Sequence, residues 1–245
     1  MKTEKYKTLF LWMLIPMILM QMGIYRDYWG DFTDNTWAVH IHYWSGTIWY
    51  SFLIIQPYFI SQGQIGKHRT NGIIGMFLAG GVCLTALSML HRDVRLAGRA
   101  FEFPERFGPF QPWFFYGVAA VEIVMIVAFG YAVIKSIIQR KEIENHAWWL
   151  VSTVFIIMMP ALGRGIQNVY VDLYFETTPN VDVMVPIYIT QFLIILIVIL
   201  GAWKFQKFRH LATYLALGVN LFVCFLEPIG KSESVQLFLK TMIKG

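Results

Sequence analysis

The feature that most restricts this chain is a series of apolar runs, each close to the length that crosses a bilayer as a helix. They cover residues 8–24, 37–60, 70–90, 113–135, 147–164, 184–203 and 211–228. A spanning helix needs roughly 20 mainly apolar residues. Lipid offers no partners for backbone N–H and C=O groups, so only helices and closed barrels cross it. Barrel strands alternate in polarity, and these runs do not. The expected fold is an all-α membrane bundle of seven transmembrane helices, with residues 1–245 forming a single domain. Composition agrees, because 57% of the residues are hydrophobic and only 14% are charged. Soluble domains carry about 25% charged residues.

The formal charge of +5 does not point to nucleic acid, because the basic residues fall in short clusters between apolar runs. Lys2, Lys5 and Lys7 precede the first run, and Lys67 and Arg69 separate the second from the third. Lys135, Arg140 and Lys141 lie between the fourth and fifth runs; Lys204, Lys207 and Arg209 lie between the sixth and seventh. All four clusters share one side of the membrane, which the positive-inside rule makes cytoplasmic. The N-terminus is thus expected inside, in an inner or plasma membrane, with lipid as the first partner. The first run is read as a retained span, since Tyr25, Arg26 and Asp27 follow it instead of a small-residue cleavage site. Cys83 and Cys224 lie far apart within apolar runs and read as small buried hydrophobes.

Two outer connectors, HRDVRLAGRAFEFPERFGPFQPW and RGIQNVYVDLYFETTPNVDV, are long for a compact bundle, and such loops are often functional. The tail KSESVQLFLKTMIKG reads as a short amphipathic helix on the outer surface. GIIG and GMFLAGG in the third run supply small residues for close helix packing.

Ionisable groups inside a membrane cost several kcal/mol at least and mark sites by default. His42 lies about one turn inside the second run, and Glu122 lies well inside the fourth. His68 opens the third run at the cytoplasmic face and His91 closes it at the outer face; His146 opens the fifth and Arg164 ends it. By depth these form an outer layer of His42, His91, Glu122 and Arg164, and an inner layer of His68, Arg69 and His146. His40 is expected to face lipid headgroups.

Imidazole is a common ligand for haem iron, and bundles hold cofactors between facing helices. The leading expectation is a haem-b-binding membrane oxidoreductase or electron carrier, with a quinone or other membrane subunits as partners. His68 with His146 would be one axial pair and His42 with His91 another, with Arg69 and Arg164 neutralising propionates. Two other readings stay open. One is a membrane subunit or small-solute carrier whose Glu122, His42 and Arg164 form a pocket opening outward. The other is a metal-dependent membrane enzyme with His42 and Glu122 among the ligands. No phosphate loop, nucleophile elbow or dinucleotide fingerprint occurs.

Four motifs in order, HYWSG, KHRTNG, HAWWL and ALGRG, cover residues 38–166. Together they resemble a bacterial membrane family known as domain of unknown function 2306. The resemblance marks His42, His68, His146 and Arg164 and implies no activity; His91 and Glu122 lie outside its pattern. Leu150 stands where that family has methionine, Ser152 where it often has arginine, and ISQGQIGK lacks its arginine run. The histidines at helix ends also resemble, in architecture only, the multi-helix b-type cytochromes.

Overall fold

The computed structural model describes residues 6–175 and 181–243, and every regular element among them is helical. Ten α-helices follow in chain order: α1 Leu9–Ile24, α2 Trp37–Ser61, α3 Ile65–Glu102, α4 Pro112–Ile138, α5 Ile143–Ile157, α6 Met159–Tyr174, α7 Met184–Lys204, α8 Leu211–Val223, α9 Leu226–Lys231 and α10 Glu233–Met242. Among the described residues, five helical stretches are long and apolar enough to cross a membrane: Tyr6–Gly30, Ile65–Glu102, Pro112–Ile138, Ile143–Tyr174 and Met184–Lys204. The seven expected spans thus reduce to five on length and composition. The second run forms the 25-residue α2, whose hydropathy is diluted by His40, His42, Ser45, Thr47, Ser51 and Gln56. The seventh forms α8, with 13 residues.

Helix α4 is the hub. It packs against α3 and α5 along its length and receives α8, α9 and α10 from the C-terminal part of the chain. Helix α1 lies on α2 and α6, while α7 closes against α6 and α8. Aromatic residues fill the centre: Trp49, Trp148, Trp149 and Phe129 are each 1% exposed. Their polar edges are satisfied across helices. Trp49 Nε1 donates to Thr153 Oγ1 at 3.1 Å, Trp148 Nε1 to Thr213 Oγ1 at 2.8 Å, and Trp149 Nε1 to Gln139 Oε1 at 2.9 Å.

The first long outer connector is mostly helix. α3 has 38 residues, about 57 Å at 1.5 Å per residue, nearly twice the hydrocarbon thickness of about 30 Å. No proline interrupts residues 91–102, and Leu90, Val94 and Ala97 make one apolar stripe there. That stripe packs on Tyr116 and Ala119 of α4 and on Leu239 of α10. The tail therefore forms a helix, as its pattern predicts, and it docks on α3 and α4 instead of standing apart. The second connector is helical to Tyr174, and its residues 176–180 fall outside the described residues.

The fifth run is two helices. α5 ends at Ile157 and α6 begins at Met159, with Pro160 in its first turn. Proline cannot donate to the carbonyl four residues back and its ring crowds it. Carbonyls of the last turn of α5 find side-chain donors elsewhere: Tyr50 Oη bonds Val154 O at 3.2 Å and Asn220 Nδ2 bonds Phe155 O at 3.1 Å. Neighbouring helices commonly satisfy freed backbone groups in this way within membranes.

Close helix crossings occur where glycines meet backbone. Gly165 on α6 faces Gly23 on α1, and Gly230 on α9 faces Gly117 on α4. Of the glycines in the third run, Gly75 packs against the Phe52 ring, whereas Gly72, Gly80 and Gly81 face open space. The expected small-residue interface of that helix therefore shrinks to one position.

Candidate functional site

A cavity of about 110 Å³ lies where α1, α2, α3, α4 and the α5–α6 break converge. Each helix delivers its polar groups by register. On α3 the lining residues Val82, Ala86, Met89 and Asp93 recur every three or four positions, with Arg92 at the flank. On α2 they are His42, Tyr43, Ser45, Gly46 and Tyr50, and on α4 Glu122, Met125 and Ile126. The helix break contributes Ile157, Pro160, Ala161 and Arg164.

Three of the four outer-layer residues expected from depth meet here: His42, Glu122 and Arg164. His91 does not line the cavity. At about 100° per residue, nine residues separate His91 from Val82 by half a turn, so it lies on the opposite face of α3. The outer axial pair of His42 and His91 is thus not assembled. Its place is taken by Arg92 and Asp93, which sequence reading passed over as loop charges. The Val82, Ala86, Met89 and Asp93 spacing was the signal that marked them.

Arg164 is held from two sides. Its Nη1 donates to Tyr43 Oη at 2.8 Å, and its Nε lies 3.6 Å from Asp27 Oδ2. Asp27 sits on a wide π-helical turn, Tyr25–Gly30, that continues α1. Its other oxygen accepts from Asn168 Nδ2 at 2.5 Å. Tyr43 is braced in turn by Tyr28, with the rings stacked at 4.5 Å between centroids. Tyr28 Oη bonds His40 Nδ1 at 3.0 Å, and His40 packs among Tyr28, Phe32 and Trp37. His40 therefore has a hydrogen-bond partner and belongs to an aromatic wall behind the site.

The other polar groups are less well served. Asp93 and Glu122 lie side by side within hydrogen-bonding reach. Glu122 Oε2 and His42 Nδ1 are buried and have no hydrogen-bond partner. Arg92 makes no hydrogen bond or ion pair among the described residues. Buried polar groups are almost always paired, with protein or with water. Unpaired groups of both signs around one cavity therefore mark a place that something polar fills. Among the described residues, no three His, Cys, Asp or Glu side chains converge as a metal site, so His42 and Glu122 have no third ligand.

The inner layer is also brought together. The His68 and His146 rings stand 6.3 Å apart between centroids, nearly perpendicular at 85°. His146 Nδ1 lies 2.9 Å from Ser136 O; a carbonyl only accepts, so Nδ1 carries the proton and Nε2 is left as the free nitrogen. His68 Nδ1, the Ser136 hydroxyl and both amide atoms of Gln56 are buried without partners. Arg69 is exposed and joins none of these groups. Sequence reading missed Gln56, a single polar residue in an apolar run, and Ser136, which follows Lys135 just past the end of one; neither carries a motif.

No family model matches the chain, nor does a curated protein or a solved structure.

Proposed function

We propose that the chain is a multi-pass protein of the inner or plasma membrane that binds a small polar solute in the outer cavity, as a carrier or the binding subunit of one. In this reading α2 and α8 also cross the bilayer, giving seven spans with the N-terminus inside, and the cavity opens outward. One observation carries it: Glu122 and His42, each with a buried and unpartnered polar atom, line the same space as Arg92 and Arg164. Leaving such groups unpaired in a low-dielectric interior costs on the order of 1–3 kcal/mol each. A solute or ordered water that pairs them recovers that cost. The interrupted helix beside the cavity supports the same reading, since transporter sites form at discontinuous helices.

The test uses Gly46, which lines the cavity and where an added Cβ would meet nothing within 4 Å. In a background lacking Cys83 and Cys224, Gly46→Cys is expected to react with a membrane-impermeant thiol reagent added from outside. Reaction only from the cytoplasmic side, or none, sinks the outward-facing cavity.

A second reading rests on the inner histidines. Two imidazoles sharing one iron, with metal–nitrogen bonds of about 2 Å, have ring centroids about 6 Å apart. An Nδ1–H donated to a backbone carbonyl is the usual orientation of a ligating histidine. His146 fits that pattern, and with His68 beside it would hold a haem b, which when bound supplies one-electron transfer, to a quinone or a partner subunit. A reduced-minus-oxidised spectrum of protein made with ample haem tests this; a featureless trace excludes it.

A further inference from the structure

We propose that the solute of the outer cavity is a small zwitterion, its carboxylate on Arg92 and its ammonium on the Asp93–Glu122 carboxyl pair. This rests on the cavity being a solute site. Arg164 is already engaged, by the Tyr43 hydroxyl at 2.8 Å and by Asp27 at 3.6 Å. Asp93 and Glu122 lie within hydrogen-bonding reach, and two carboxyls that bond each other share one proton and carry one negative charge between them. Arg92 makes no hydrogen bond or ion pair among the described residues, and Arg92, Asp93 and Glu122 all line the cavity.

A guanidinium and a singly charged carboxyl pair attract strongly in a low-dielectric interior. Arg92 nevertheless forms no ion pair with them among the described residues, and all three line the cavity. A ligand with opposite charges a few ångströms apart engages both and adds no net charge. An anion alone would leave the carboxyl pair's charge unmet, and a cation alone would leave Arg92 unmet. The cavity volume of about 110 Å³ compares with roughly 10–15 Å³ for a single water on the same measure. It therefore holds a molecule of several heavy atoms and excludes bulky side chains. Carboxylate recognition by a guanidinium is bidentate and directional, and His42 Nδ1 offers one further polar contact to a substituent.

The experiment measures binding of glycine, alanine and glycine betaine to the detergent-purified full chain by thermal shift and isothermal titration. Acetate and methylamine, each carrying one half of the charge pair, are run in parallel. The expected result is that at least one zwitterion binds at least tenfold more tightly than either half. Arg92→Gln and Glu122→Gln should each reduce that affinity more than tenfold, with Arg92→Lys intermediate. Their size-exclusion profiles confirm folding, and Gly46→Leu should abolish binding by filling the space. Acetate or methylamine matching the zwitterions overturns the proposal and leaves the solute cavity standing. So does absence of binding by all five probes while Gly46→Cys is still labelled from outside. Loss of that labelling removes the cavity reading itself.

Discussion

The crossing of α1 and α6 allows a sharp test, because it holds both walls of the Arg164 site. A Cβ on Gly165 would stand 2.7 Å from Gly23 Cα and 2.8 Å from Gly23 O. Carbon–carbon contact is comfortable at about 3.5–4.0 Å, so the helices would have to part by about 1 Å. The opposing atoms are backbone, and no rotamer change relieves them. Overpacking of this kind costs about 1–3 kcal/mol. Alanine is also the better helix former, by roughly 0.5–1 kcal/mol over glycine. That gain is cancelled by comparing Gly165→Ala with Gly130→Ala, whose added Cβ meets nothing within 4 Å. The difference between the two variants isolates the crossing. At roughly 2–4 °C per kcal/mol for a chain of this size, Gly165→Ala should melt about 2–12 °C below Gly130→Ala. Heat unfolding of detergent-purified protein, followed by helical circular dichroism, measures it. Equal melting temperatures would show that α1 and α6 do not meet at this pair. Asp27 follows α1 and Arg164 precedes Gly165, so the same substitution should also weaken solute binding at the cavity.

Asn220→Leu takes the donor from Phe155 O in the last turn of α5. The buried carbonyl left behind should lower stability by about 1–3 kcal/mol, and a melting temperature equal to that of the unaltered chain would contradict this role for Asn220. His210 caps α8, with neutral Nδ1 accepting from Ala212 N at 3.1 Å. Burial, and then the Lys207 ammonium, hold its imidazole below the ordinary value of 6.5. The unfolded chain therefore takes up the proton first, and stability present above about pH 6.5 is lost as pH falls through that value toward the folded one. His210→Asn keeps a capping acceptor that does not titrate, so its melting temperature should fall less on acidification than that of the native chain; an equal fall refutes the capping account.

What the sequence made legible was depth, and what it concealed was rotation. Hydropathy is one-dimensional, so it placed His68 with His146 at one level and His42, Glu122 and Arg164 at another, and those two groups are the ones found together. His91 shows where that reasoning stops. It has the right depth and the wrong face, and the residues beside it, Arg92 and Asp93, are the ones the cavity receives. The choice among three consecutive residues depends on which face of α3 meets α2 and α4, and no single-helix pattern states that directly. The α3 extension was hidden for a related reason. Charges at residues 91–102 look like loop when membrane length is taken as the limit of a helix, yet outside lipid one face can be charged while Leu90, Val94 and Ala97 stay apolar. The cavity itself follows from local failures of packing that coincide at one depth. Pro160 interrupts α5–α6, Gly46 presents no side chain from α2, and Arg92 forms no ion pair among the described residues. A bundle filled by large apolar side chains would close such a gap. Here the polar groups around it hold it open.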